Sequence, residues 1–403
     1  MPKLNSKTVT PEAATPVSTE VPTVEQAAVP ADAKPRYKFL DVLKILSIVL
    51  VVYIHSGGLL LYIPNQPELV KNIEQLVNCF AFVCVPLFFM VNGALLFNRE
   101  LDFKKHVIKT LKTFLLVYFW AFVILLLQMP IRYLLDYGEK IDSVYEFFKS
   151  CIQFKYGWNN HLWFLAQLVL LYLFFPLLKL LFDKNKKYFA FFLGLVFIFT
   201  IFSSVLESFN WLVVKMFGSG AAGLTNAISS LFNDFKYHYY PAFSTQAYAL
   251  VYFMAGGLIL FYAPQIKAKL ASKKIFFNIL SVIVIVAMNL IGYWYYTNIN
   301  PTGEGVEYAN IYTCVITVTL FLIGMMNDDG RSNPKITFVA KNIMGVYLLH
   351  HAIQYYISYF VGLLFDFDHS SLRLVLTALT LAACFGLTVL LNKVKYVKEL
   401  LKL

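Results

Sequence analysis

Long apolar runs alternate with short polar ones along almost the whole chain. A membrane-spanning helix needs about 20 apolar residues, and ten runs qualify: roughly 39–62, 76–97, 113–131, 161–182, 188–206, 243–263, 275–297, 308–326, 336–362 and 372–392. Two connections between them are longer than the rest, about 132–160 and about 207–242. Both are rich in aromatic side chains, which suits an interfacial belt or segments lying on the membrane surface. Ahead of the first run, residues 1–35 are rich in Pro, Thr, Ala, Val and Glu and show no apolar period. They read as a disordered tail, and the lack of a continuous apolar core argues against a signal peptide. The pattern predicts an all-α integral membrane protein of about ten transmembrane helices, with a tail over 1–35 and a multi-pass membrane domain over 36–403.

Composition agrees, with 59% hydrophobic and only 14% charged residues. A soluble protein of this size would need far more charge to cover its surface. The net charge of +11 might fit nucleic acid, but its distribution points to the lipid bilayer as the partner. With the N-terminus in the cytoplasm, the inner side collects Lys34, Arg36 and Lys38, the cluster from Arg99 to Lys112, Lys184 to Lys187, Lys267 to Lys274, Arg331 and Lys335, and Lys393 to Lys402. The other side keeps few, among them Arg132 and Arg373. That is the positive-inside rule over every loop, and it predicts both termini in the cytoplasm. The five cysteines are scattered, with no pairing or metal-ligand spacing, and read as small core residues; no metal site is expected.

Three ionisable residues stand inside the first run: Asp41, Lys44 and His55. In hydrocarbon such groups cost several kcal/mol unless paired or hydrated. On an α-helix Lys44 and His55 are about 16 Å apart and, after three turns plus about 20°, project from one face. Asp41 lies one turn before Lys44. His55 would lie about 24 Å above a helix start at Phe39, in the outer third of the bilayer core, while Lys44 is shallow enough to snorkel. His161 opens the fourth run at its outer end, and His350 and His351 lie roughly 21 Å into the ninth. Three helices thus bring imidazoles, the usual acid and base near neutral pH, to the outer half. Each alone also reads as a hydrogen-bonded structural residue. Lys44, Arg99 and Lys341 could form a cationic rim for a phosphate-bearing cytoplasmic ligand; Arg99 and Lys341 equally read as ordinary anchors.

Four stretches, "FLDVLKILSIVLVVYIH", "VPLFFMVNGALLFNRE", "HLWFLAQLVLLYLFFP" and "IMGVYLLHHAI", occur in this order and spacing. They resemble the acyltransferase 3 family of membrane-integral acyltransferases that modify cell-surface glycans. The family's hallmark is an Arg, ten residues and a His, the spacing of Lys44 and His55. The likeness runs from about residue 36 to 395 and is greatest to the Trp-Phe-Leu branch, which includes sugar O-acetyltransferases and the biofilm-polysaccharide O-succinyltransferase type. It implies transfer of an acyl group, acetyl or succinyl, from cytoplasmic acyl-CoA to a hydroxyl of an extracytoplasmic or lipid-linked glycan, in a bacterial plasma membrane. By position His55 takes the catalytic role and Lys44 the donor-side role, with Arg99 as the basic residue after the second helix. Three departures are clear: Lys44 for the Arg, Asn92 for a Ser, and Gln167 where many members carry a Glu.

On this reading His55 is a general base or forms an acyl-His intermediate, and Asp41 orients or neutralises Lys44. Lys341 joins the donor side, while His161, Trp163 and His350 line the acceptor side. Glycan-synthesis proteins are the expected partners for any further transfer step. Two rival readings remain: a polysaccharide exporter or flippase with no acyl-transfer chemistry, and a non-catalytic sensing or scaffolding module.

Overall fold

The computed structural model describes residues 36–58, 67–136, 139–155, 157–218, 247–298, 308–364 and 370–401, with the isolated positions 223, 227 and 230. The expected tail over 1–35 and most of the second long connection lie outside the described residues. Every regular element among them is a helix.

Seven helical stretches are long and apolar enough to cross a membrane: Lys38–Ser56, Glu68–Phe97, Phe103–Leu134, Asn160–Lys184, Ala263–Asn298, Pro334–Gly362 and Arg373–Leu391. Two shorter apolar helices, Tyr248–Phe261 and Ile311–Met326, fill two more of the ten expected runs. The run at 188–206 becomes helix Lys186–Thr200, a turn at Ile201 and helix Phe202–Phe217. In chain order the helices used below are α1 (Lys38–Tyr53), α2 (Glu68–Ala81), α3 (Cys84–Phe97), α4 (Phe103–Leu134), α5 (Val144–Gln153), α6 (Trp163–Lys184), α7 (Lys186–Thr200), α8 (Phe202–Phe217), α9 (Tyr248–Phe261), α10 (Ala263–Leu270), α11 (Lys274–Asn298), α12 (Ile311–Met326), α13 (Pro334–Gly362) and α14 (Ser370–Leu391).

Local chemistry explains several boundaries. Asp102 caps α4 by accepting from the Lys105 amide at 3.0 Å, and Asn185 caps α7 by accepting from Lys187 at 2.9 Å. Asn333 caps α13, whose first residue is Pro334, a position where a missing N–H costs nothing.

α1 is the central helix and packs on α3, α12, α13 and α14. Its apolar residues leave little room for a polar face: Leu40, Leu43, Ile48, Val51 and Val52 are all buried. α3 and α9 cross at near backbone contact. A Cβ on Gly93 would stand 1.7 Å from the Phe253 carbonyl oxygen, and one on Gly256 would stand 2.0 Å from that of Met90. Small residues at such a crossing let membrane helices approach where no hydrophobic drive is available. On the outside α11 shows an apolar face, with Ile275, Ile279, Val282, Ile283 and Val286 exposed, as contact with lipid tails would require.

Contacts gather the polar junctions at one end of the bundle. Lys38 Nζ at the start of α1 donates to Asp329 Oδ1 at 2.8 Å, and Lys267 donates to the Asp328 carbonyl at 3.1 Å. The hydrogen bond from Lys38 holds the Asp329 carboxyl below its usual pKa. Lys179, buried near the end of α6, bridges the Phe97 carbonyl at 3.1 Å and Asp183 at 2.6 Å. The five cysteines are buried and unpaired.

Candidate functional site

At the opposite end of α1 the helix changes character. Residues Ile54–Gly58 form a π-helical turn. Ser56 turns its hydroxyl back to the Val52 carbonyl at 2.8 Å, and Gln354 Nε2 on α13 donates to the His55 carbonyl. Thus an external donor holds this carbonyl. π turns inside helices recur at functional sites because they re-aim one side chain. The α-helix that carries Lys44 ends at Tyr53, so His55 stands on the π turn that continues it.

His55 meets three other imidazoles there. Its ring centroid is 5.1 Å from His350, 5.6 Å from His351 and 6.2 Å from His161. His161 lies 4.9 Å from both His350 and His351, and it stacks on the latter with an interplanar angle of 11°. The four come from three places in the chain: the π turn, the short 3-10 helix Asn160–Leu162 ahead of α6, and consecutive positions on α13. His161 and His350 are buried, whereas His55 and His351 keep part of their surface.

Buried polar atoms normally find partners. His350 Nδ1 is 2.6 Å from the Tyr347 carbonyl, but its Nε2 and both ring nitrogens of His161 have no hydrogen-bond partner among the described residues. Neither has Gln354 Oε1 nor Asn160 Oδ1. Several buried donors and acceptors without partners thus belong to the cluster or to residues beside it in the chain, and such atoms are suited to hold a polar substrate or water.

A second layer fixes the cluster. Gln128 Nε2 on α4 donates to the Trp158 carbonyl at 2.7 Å and lies 3.4 Å from His351 Nδ1. Gln128 Oε1 in turn accepts from Arg132 at 2.9 Å. The Arg132 guanidinium also donates to the Gly157 and Glu139 carbonyls, and it stacks 3.9 Å above Trp158 and 4.2 Å from Tyr355. Tyr347 donates its hydroxyl to the His161 carbonyl. Gln128, Tyr347 and Gln354, which contact the histidines or their backbone, and Arg132, which holds Gln128, are residues the sequence reading did not include in the site. Arg132 looked like one of the sparse outer-side charges, and its burial was the signal unavailable to a linear pattern.

The other expected site residues are more dispersed. Lys44 Nζ is 3.8 Å from Asp41 Oδ1, with Asp41 buried and Lys44 partly so. Arg99, just past the end of α3, and Lys341, early in α13, are exposed. Trp163 rests on Tyr308, 5.9 Å away between ring centroids, rather than against the imidazoles. Among the described residues no group of three or more His, Cys, Asp or Glu side chains is disposed to hold a metal ion.

Chemically, a cluster of imidazoles can take up a proton from a hydroxyl and pass it on. A family model described as an acyltransferase domain matches residues 37–392. No curated protein and no solved structure matches the chain.

Proposed function

The chain belongs to the acyltransferase family defined by that domain, and from this premise we propose that it moves an acyl group, acetyl or succinyl, from cytoplasmic acyl-CoA to a hydroxyl of an extracytoplasmic or lipid-linked glycan. The observation that supports this best is the convergence of four imidazoles from three chain segments, with ring nitrogens lacking partners.

In the proposed reaction His55 takes the proton of the acceptor hydroxyl as its oxygen attacks the thioester carbonyl. The new C–O bond forms, the C–S bond breaks, and the imidazolium returns the proton to the departing thiolate as free CoA thiol. A thioester is already activated, so positioning and one proton shuttle suffice. His161, His350 and Trp163 are assigned to the acceptor side. Lys44, paired with Asp41, together with Arg99 and Lys341, is assigned to the donor side, where cations suit phosphate. This arrangement requires the N-terminus and the polar junctions in the cytoplasm of a bacterial cell, with glycan-synthesis proteins as partners. An exporter without chemistry is not favoured, because it leaves the family match without a role.

The test is release of CoA thiol by purified protein supplied with acetyl-CoA or succinyl-CoA and the glycan and lipid fraction of cells lacking the gene. His55→Ala at normal abundance is expected to lower the rate by about 10²–10⁴-fold, the usual worth of a positioned acid–base group. An undiminished rate contradicts the assignment.

A further inference from the structure

One turn below the imidazoles, between α3, α4, α6 and α13, lies a chamber of about 70 Å³. Asn92, Thr113, Phe164, Leu168, Tyr172 and Tyr347 are among its walls. Chain order fixes its height. On α6, Leu168 and Phe164 step one turn at a time toward His161; on α13, Ile343 and Tyr347 step toward His350 and His351. Tyr347 is the shared wall, its ring centroid 5.7 Å from His350 and 5.8 Å from His161.

Tyr172 closes the chamber on the other side. Its hydroxyl donates to Asn92 Oδ1 at 3.1 Å, and Asn92 is itself anchored to the Phe88 carbonyl at 2.8 Å. Tyr172 also lines a wider cavity of about 290 Å³ between α4 and α6, together with Phe103, His106 and Pro176. That cavity starts beside the polar junction carrying Arg99, Lys104 and Lys105. Two cavities sharing one tyrosine therefore lie in line between the basic junction and the histidines.

We propose that the small chamber is the acyl pocket of the donor and that its dimensions select an acetyl group over a succinyl or longer one. The proposal rests on the acyl-transfer reading above and narrows it. Size is the first argument. An apolar cavity of about 150 Å³ accepts benzene, with six heavy atoms, so a chamber of about half that volume accepts about three, the count of an acetyl group. Succinyl has more than twice as many. Charge is the second argument. None of the described residues lining the chamber is cationic, so a succinyl carboxylate would be buried there with no opposite charge, which disfavours it. Tyr347 both lines the chamber and stands at those distances from two of the imidazoles, so the chamber lies next to the cluster.

The experiment compares CoA-thiol release from acetyl-, butyryl- and succinyl-CoA, with the same glycan and lipid fraction as acceptor. The wild-type protein is expected to favour acetyl-CoA by about tenfold or more over either longer thioester. Leu168→Ala, which widens the chamber, is expected to raise the butyryl-to-acetyl ratio by about tenfold, and Leu168→Phe to depress acetyl transfer. Ile343→Ala is the second widening variant should Leu168→Ala fail to accumulate. Equal use of the three thioesters, or a ratio unmoved by widening while acetyl transfer persists, overturns the pocket and leaves acyl transfer standing. No thiol release from any thioester overturns the acyl-transfer reading, and the pocket with it.

Discussion

Arg132 and Arg99 both stand near helix ends, yet only one is buried. Arg99 is exposed, while Arg132 is sunk beside the histidines, donating to Gln128, Gly157 and Glu139 and stacked on Trp158. A planar guanidinium can do all of this together, whereas an ammonium is a point charge with no stacking face. Arg132→Lys is therefore expected to leave a buried acceptor unmet, costing about 1–3 kcal/mol and lowering the thermal midpoint of the detergent-solubilised protein. An unchanged midpoint contradicts the described role. Individual ionisable residues were legible in the sequence, since an imidazole in an apolar run is conspicuous. His55, His161 and His350 were found that way. Gln128 and Gln354 were not: a neutral amide in an apolar run has no fixed meaning until its partner, on another helix, is known.

Helices were legible by length and apolar content, and their breaks were not. The run at 76–97 divides into α2 and α3 at Phe82–Val83, and the first helix passes into a π turn carrying His55. Pro86, which cannot donate to the Phe82 carbonyl, accompanies the first change, and Gly57 and Gly58 end the π turn; neither sign alone says where an apolar run will break. α2 and α14 both pack against the π turn and are tied to one another by Glu74 and Arg373, 3.3 Å apart and largely buried. Removing one partner of a buried pair leaves an uncompensated charge, at about 3–5 kcal/mol. Glu74→Ala is expected to destabilise the protein by that order. The exchange Glu74→Arg with Arg373→Glu is expected to recover much of the loss, measured as midpoints of the single and double variants. A double variant no better than the worse single one contradicts a direct pairing.

At the scale of the whole molecule, hydropathy and charge spacing were enough to read a helical membrane protein, because both follow from the bilayer acting as solvent. They could not show how far the helices rotate about their axes, and so could not show that four imidazoles share one site. That convergence links the fold to chemistry: α1 at the centre, the 3-10 helix before α6 on one side and α13 on the other deliver the rings to within 6.3 Å of each other. We propose that this cluster acylates a cell-surface glycan. Mass spectrometry of that glycan tests it most directly, comparing cells with the gene, without it, and with His55→Ala at equal membrane abundance. The expected result is a glycan present in all three and carrying its acyl group only with the wild-type gene. An acyl group retained in the His55→Ala cells, or loss of the whole polymer from the surface, contradicts the claim.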